Sequence, residues 1–105
     1  MRRFLIRFSM RKKAELLRAA RKGCLQEVRA LIDAGVSPNA RGFFKETALM
    51  AAVQGEHRTV VRFLIEAGAD PMAKDEDGDT AFKMAERNGC CDIVSLLHAF
   101  EMLSE

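Results

Sequence analysis

The sequence predicts an all-α solenoid, in which helix-turn-helix units stack in a row and β-turn fingers project between them. Two stretches, TALMAAVQGEHRTVVRFLIEAGAD at 47–70 and TAFKMAERNGCCDIVSLLHAFEML at 80–103, follow one pattern 33 residues apart. A further shift of 33 residues towards the N-terminus finds a weaker third copy, which includes Leu16, Ala19, Val28, Leu31, Ile32, Gly35 and Pro38. A fixed period of this size is typical of repeat proteins, whose units are stable only when stacked.

The first repeat contains two predicted helices. One runs from Lys13 to Lys22 and ends at Gly23, and the other runs from Leu25 to Ala34 and ends at Gly35. Both carry apolar residues at helical spacing, formed by Leu16, Leu17, Ala19 and Ala20 in the first and by Val28, Leu31 and Ile32 in the second. Such a stripe is the face that a helix buries.

The second and third repeats begin with Thr47 and Thr80, whose side chains can each accept a backbone N–H bond at the start of a helix. One position differs between the repeats. Gly23 and Gly89 correspond to Glu56, so Glu56 carries strain if the turn there needs a positive φ.

Residues 36–46, VSPNARGFFKE, form the predicted finger between the first two repeats. The next finger, ADPMAKDEDGD, has the expected turn residues Asp75 and Gly78, whereas the first finger carries Phe43 and Phe44 at its tip. Adjacent aromatic residues on a rigid surface loop are what an interaction hot spot needs. The alternative is that one or both rings fold back onto the first helices.

The last repeat ends in an apolar run. We predict that its second helix is longer than the others, so that Phe100 and Leu103 continue the stripe from Leu96. The alternative is an exposed apolar end that docks on a partner or on another copy of the chain. A chain cut from a longer array would end in the same way.

The motifs T-A-L-x-x-A at 47–52 and T-A-F-x-x-A at 80–85, with A-G-A-D-P at 67–71, resemble ankyrin repeats. The resemblance covers residues 14 to about 103. It implies an ankyrin repeat domain over 14–105, with repeats at about 14–40, 41–73 and 74–105, preceded by a basic, apolar extension over 1–13. The function implied is that of a non-catalytic interaction module or adaptor, which binds a protein or peptide through its concave helix face and finger tips.

The usual contact positions of ankyrin repeats fall on a defined set of residues here. They are Arg21, Lys22, Lys45, Gln54, Glu76, Asp77, Asp79, Arg87 and Asn88. To these we add Phe43 and Phe44 for their apolar surface. The resemblance names no partner, and a monomer is favoured.

Residues 1–13, MRRFLIRFSMRKK, interleave basic and apolar side chains, with no acidic residue before Glu15. Three interpretations stay open. The segment could be a basic amphipathic arm in peripheral contact with an anionic membrane, or a mitochondrial transit peptide. We favour the third, an N-terminal extension of the first helix that covers the open end of the solenoid.

Catalytic, metal and cofactor sites are not predicted. Cys24, His57 and Cys90 occupy the same position in successive repeats, about 8–10 Å apart, whereas zinc ligands lie about 2.0–2.3 Å from the ion. The acidic run at 75–79 lacks the ligand spacing of a calcium loop, and no Gly-rich phosphate loop occurs. We therefore expect no enzyme and no cofactor.

The charge distribution and the cysteine content indicate the cellular compartment in which the protein is expected. Residues 1–30 hold ten Lys and Arg against two acidic residues, although the whole chain carries a net charge of only +2. The odd count of 3 cysteines favours a reducing intracellular compartment. We expect the cytoplasm, or the nucleus as well, with the mitochondrion as the alternative. Nucleic acid is not expected as a partner.

Overall fold

The computed structural model describes the backbone of residues 2–103 and the side chains of residues 10–100. The described part contains six α-helices: α1 (Arg2–Lys22), α2 (Leu25–Asp33), α3 (Ala48–Gln54), α4 (Arg58–Glu66), α5 (Ala81–Arg87) and α6 (Cys91–Leu103). Within that part, β pairing is limited to a single bridge between Arg41 and Thr47. The predicted all-α solenoid of stacked helix pairs is confirmed.

The helices form two layers. The inner helices α1, α3 and α5 pack side by side, and the outer helices α2, α4 and α6 pack side by side behind them. Each inner helix also packs on the outer helix that follows it. The core lies between the layers, and its largest fully buried side chains are Leu16, Val28, Leu49, Met50, Val53, Val60, Val61, Leu64 and Leu97. The central helix α3 is buried from Ala48 to Val53, because α1 and α5 cover it on both sides.

The inner helices all end in the same turn. Each turn contains one residue in the left-handed conformation: Gly23 after α1 (φ 80°), Glu56 after α3 (φ 60°) and Gly89 after α5 (φ 69°). At the first of these turns, the Gly23 N–H donates to Ala20 O at 3.2 Å and the Cys24 N–H donates to Ala19 O at 3.0 Å. These two bonds satisfy carbonyls that the helix end would otherwise leave without partners. The predicted strain at Glu56 is therefore present.

The outer helices end at glycine where the sequence provides one. Gly35 and Gly68 follow α2 and α4 with φ of 102° and 104°, and each of these helices has 9 residues. The corresponding position in the third repeat is Glu101, and α6 runs on to Leu103 with 13 residues. The predicted lengthening is thus confirmed. Phe100 is half-buried, and the side chain of Leu103 lies outside the described residues.

Helix α1 begins earlier than the hydrophobic pattern predicted. It runs without a break from Arg2 to Lys22, so the N-terminal extension continues the first helix, as in the interpretation that we favoured. Whether its apolar residues cover the end of the solenoid depends on side chains before Met10, which lie outside the described residues. None of the described helices is both long enough and apolar enough to cross a membrane.

The two threonines cap their helices as predicted. Thr47 Oγ1 accepts the Met50 N–H and Thr80 Oγ1 accepts the Lys83 N–H, both at 3.2 Å. Both threonines are buried. The Met50 sulfur in turn accepts the Thr47 N–H at 3.5 Å, so a methionine closes a reciprocal cap at this helix.

His57 joins the first two repeats. Its Nε2–H donates to the Arg21 carbonyl oxygen at the end of α1, at 2.9 Å. The ring lies between two glycines: a Cβ on Gly23 would lie 2.4 Å from His57 Nδ1, and a Cβ on Gly55 would lie 2.6 Å from His57 Cδ2. The second repeat has its glycine at position 55, one residue before the position of Gly23 and Gly89, and a side chain at position 55 would collide with the His57 ring.

Two substitutions at neighbouring positions test this account of the second turn. Glu56→Gly should stabilise the protein by about 1 kcal/mol, because glycine adopts a positive φ without strain. Gly55→Ala should destabilise it, because the new Cβ would lie 2.8 Å from the backbone oxygen of Arg21. Thermal melting followed by circular dichroism should show midpoint shifts in opposite directions, the first by about 4–8 °C. A lower midpoint for Glu56→Gly would show that its side-chain contacts outweigh the strain.

Candidate functional site

The first finger packs directly against α1. A Cβ on Gly42 would lie 2.6 Å from Leu17 Cδ2, so the glycine lets the finger backbone approach the helix. Leu17 is buried beneath this contact. This contact between Gly42 and Leu17 sets how far Phe43 and Phe44 stand from α1.

The tip of the first finger is an unusual turn. Glu46 N–H donates to Phe43 O at 3.1 Å, while Phe44 and Lys45 between them have φ of 61° and 60°. Two central residues with positive φ characterise a type I′ turn, which usually contains Asn-Gly. A left-handed conformation costs a non-glycine residue on the order of 1–2 kcal/mol. The strained tip projects both phenylalanines, which are 90% (Phe43) and 75% (Phe44) exposed.

The second finger has a different turn at the same repeat position. Asp75 O accepts the Gly78 N–H at 3.0 Å, and Asp75 Oδ1 accepts the N–H groups of Asp77 and Asp79, both at 2.9 Å. The residue with positive φ is here a glycine, Gly78. This tip is therefore polar and unstrained, unlike the first.

Hydrogen bonds join the two fingers. The Glu76 N–H donates to Phe44 O at 2.9 Å, and Arg41 Nη1 donates to Lys74 O at 3.1 Å. At the base, Asn39 Nδ2 donates to Gly68 O at 3.0 Å, and Asn39 Oδ1 accepts the Asp70 N–H at 2.7 Å. The fingers are thus tied along their length, which holds the tip of the first one in place.

A groove of about 900 Å³ lies between α1 and the first finger. We call it the finger groove. It is lined by Met10, Arg11, Lys13, Ala14, Leu17, Arg18, Arg21, Arg41, Gly42, Phe43, Phe44, Glu46 and Asp75. The described part of the chain has four exposed large hydrophobic side chains, and three of them, Met10, Phe43 and Phe44, line this groove.

The predicted contact residues occupy three regions of the surface. Arg21, Phe43 and Phe44 line the finger groove. Arg21, Gln54 and Arg87 stand at equivalent positions near the ends of the three inner helices, and Lys22 and Asn88 follow Arg21 and Arg87 directly; all five side chains are exposed. The third region is formed by the finger residues Lys45, Glu76, Asp77 and Asp79, of which Asp79 is half-buried and the others are exposed.

Three of the predicted contact residues take part in ion pairs between an inner helix and a finger. Arg21 pairs with Glu46, and Arg87 Nη2 lies 3.0 Å from Asp79 Oδ2. The equivalent residue between them, Gln54, has a long contact of 3.9 Å from Nε2 to Met84 Sδ. The ion pairs tie the ends of the inner helices to the finger bases and orient both arginines.

Sequence reasoning missed the α1 wall of the finger groove. Met10, Ala14, Leu17 and Arg21 follow one another at helical spacing and share a face of α1. The apolar stripe identified from the sequence began at Leu16, and residues 1–13 were treated as a separate extension of the helix, so Met10 was not placed on this face. Extending the helical pattern through Met10 would have found it.

A smaller depression of about 300 Å³ lies between the turns of the second and third repeats. It is lined by Glu56, Arg58, Gly89, Cys90, Cys91, Asp92 and Ile93. Cys90 Sγ donates to Glu56 Oε1 at 3.1 Å, and this hydrogen bond to a carboxylate raises the pKa of the Cys90 thiol. A raised pKa lowers the thiolate fraction at neutral pH and therefore the reactivity of the group.

Cys24, His57 and Cys90 occupy equivalent positions in the three repeats. Each directly precedes an outer helix, one in each helix pair. Among the described residues, no three His, Cys, Asp or Glu side chains are grouped so that they could hold a metal ion. The chemistry available in the finger groove is ion pairing and apolar contact.

Comparison with known families agrees with this architecture. A family model described as ankyrin repeats, in three copies, matches residues 16–102. No curated protein sequence matches the chain at a significant level.

The Cys90 contact predicts a change in thiol reactivity. Glu56→Gln removes the carboxylate that raises the pKa of Cys90, so more thiolate should form at pH 8 and alkylation by iodoacetamide should accelerate. Peptide mass spectrometry gives the rate at Cys90, with the exposed neighbour Cys91 as the internal control. An unchanged rate at Cys90 would contradict a role for Glu56 in its reactivity.

Proposed function

Because the chain belongs to the ankyrin repeat family, we propose that it is a non-catalytic adaptor, which binds a protein or peptide through its inner face and finger tips. Ankyrin repeats are generally protein–protein interaction modules. The observation that supports this role most directly is the exposure of Phe43 and Phe44 on a finger that hydrogen bonds hold in place.

Two exposed phenyl rings on a fixed loop favour binding for energetic reasons. Burying a phenylalanine side chain is worth about 1.5–3 kcal/mol. Association loses about 0.5–1.5 kcal/mol for each flexible side chain that becomes ordered, and the finger backbone around Phe44 is already ordered. Binding therefore need not include the further cost of ordering the finger backbone.

The remaining contact residues extend the proposed interface along the inner face. Arg21 and Lys22 make the first repeat basic, whereas Glu76, Asp77 and Asp79 make the second finger acidic. A partner that spans both would carry the opposite charges in the same order. Gln54, Lys45, Arg87 and Asn88 complete the proposed surface. Its charge pattern would orient the partner over about one Debye length, about 8 Å at physiological salt.

The proposed setting is intracellular. The three cysteines are free thiols, which fits a reducing compartment such as the cytoplasm or the nucleus. A monomer is sufficient for this role, because the inner face and both fingers belong to one chain.

An alternative role is a protein that acts through its basic N-terminal arm on a membrane surface or in an organelle. The continuity of α1 favours this role, since residues 2–13 contain six basic and no acidic residues on one uninterrupted helix. Near an anionic bilayer each such residue contributes about 1 kcal/mol. In this case the full chain should co-sediment with phosphatidylserine vesicles, whereas a chain that lacks residues 2–13 should not. Equal sedimentation of the two chains would exclude the arm as a membrane tether.

The adaptor proposal predicts that the finger-tip rings are required for partner capture. Affinity capture from a cell extract, quantified by mass spectrometry, should retain a specific partner with the wild-type chain and lose it with Phe43→Ala/Phe44→Ala. A loss of 2 kcal/mol or more in binding is expected for a central aromatic anchor. Circular dichroism should show unchanged helicity, because both rings are exposed.

Met72→Ala provides the matched control. Met72 is an exposed large hydrophobic residue, at 55%, that does not line the finger groove. Its substitution should leave capture unchanged. Retained capture by the phenylalanine double variant would refute the finger tip as the contact site.

A further inference from the structure

We propose that the finger groove binds an acidic peptide segment that carries at least one large apolar side chain. This inference rests on the proposed protein-binding function and specifies the chemistry of the partner. It follows from three features of the groove: its apolar patch, the charge of its walls and its shape.

The apolar part of the groove is formed by Met10, near the middle of α1, and by the finger tip. Met10 is 64% exposed and lines the same groove as Phe43 and Phe44. Exposed large hydrophobic side chains scattered singly are normal on a protein surface, whereas a cluster around a recess marks an interaction site. A partner side chain that enters between α1 and the finger tip would remove all three from water.

The charged part of the groove is strongly basic. Five cationic residues line it, Arg11, Lys13, Arg18, Arg21 and Arg41, against the carboxylates Glu46 and Asp75. Arg21 pairs with Glu46, and Arg41 donates to a backbone oxygen.

The other three cations are the ones that face an incoming ligand. Arg11, Lys13 and Arg18 are exposed, and no described carboxylate lies within ion-pair distance of them. Carboxylates on a partner would provide the missing counter-charges. Complementary charge of this kind raises the association rate and fixes the orientation of the bound segment.

The shape of the groove fits a peptide segment. One wall is the face of α1 from Met10 to Arg21, which is about 17 Å long at 1.5 Å per residue. The opposite wall is the first finger, and Leu17 with Gly42 closes the recess where the two meet. A bilayer is flat on this scale and would touch the rims without reaching the recess. A peptide can place its carboxylates next to Arg11, Lys13 and Arg18 and away from Glu46 and Asp75, whereas a nucleic acid carries a phosphate at every nucleotide.

An unbiased selection of peptides tests the proposal. A library of random 12-residue peptides displayed on phage is selected against the immobilised full-length chain. Enriched sequences should combine Asp or Glu with Phe, Leu, Ile or Met. Fluorescence anisotropy of a selected peptide should then show at least tenfold weaker binding to Phe43→Ala/Phe44→Ala and to Arg18→Glu. Binding should also weaken as NaCl is raised from 50 to 500 mM, because salt screens exposed charges.

Matched variants separate the groove from the rest of the surface. Met72→Ala is the apolar control, and Arg62→Glu is the charge control on the outer helix α4. Both should bind the peptide within twofold of the wild-type chain. Equal helicity of all variants by circular dichroism confirms that the comparison is between folded proteins.

The outcomes distinguish this inference from the function on which it rests. Neutral or basic peptides that depend on Phe43 and Phe44 would overturn the acidic chemistry and leave the adaptor function standing. A selection that yields no peptide, or peptides indifferent to every groove variant, would overturn the finger groove as a binding site. Binding of phosphatidylserine vesicles or of a 20-nucleotide oligothymidylate, sensitive to the same variants and without acidic peptides, would reassign the groove to an anionic surface or to nucleic acid.

Discussion

The stacking of each helix pair on its neighbour is the constraint on which the rest of the structure depends. α3 is buried from Ala48 to Val53 because α1 and α5 flank it. Without these neighbours its apolar side chains would be exposed to water, so the central repeat depends on the other two for its stability. His57 adds a directed bond to this stack, since it donates to the last turn of α1 from the following repeat. Burial holds the layers together, and the hydrogen bond links the end of α1 to the turn before α4.

The finger groove is a product of that stacking. One wall is the first helix, and the other is a finger whose base leads into the second helix pair, so neither repeat contains the groove alone. Hydrogen bonds between the two fingers keep the tip of the first finger in one position, although it projects into the solvent. The groove can therefore present apolar rings and cations at fixed separations, which reduces the ordering that a partner must impose.

Strain in the backbone is concentrated at residues that the stack or the surface uses. Glu56 adopts a positive φ beside Gly55, whose missing side chain makes room for the His57 ring. Phe44 and Lys45 adopt positive φ at the finger tip, where the second finger has an unstrained turn with Gly78. Strained conformations persist where the surroundings fix them, and they are common at binding sites. At the finger tip, the strained turn is the one that projects the aromatic pair.

The sequence by itself determined the helix pairs, their order and the turns between them. The 33-residue period and the apolar stripes follow from burial, which is a local property of each helix, and the strain at Glu56 could be inferred from its alignment with Gly23 and Gly89. The tertiary structure alone decided which surface residues share a site. Met10, Arg18 and Phe43 come together because α1 continues without a break through the N-terminal extension and Gly42 packs on Leu17. Exposed residues carry no burial pattern, so their proximity depends on how helix and finger pack, which a repeat period does not encode.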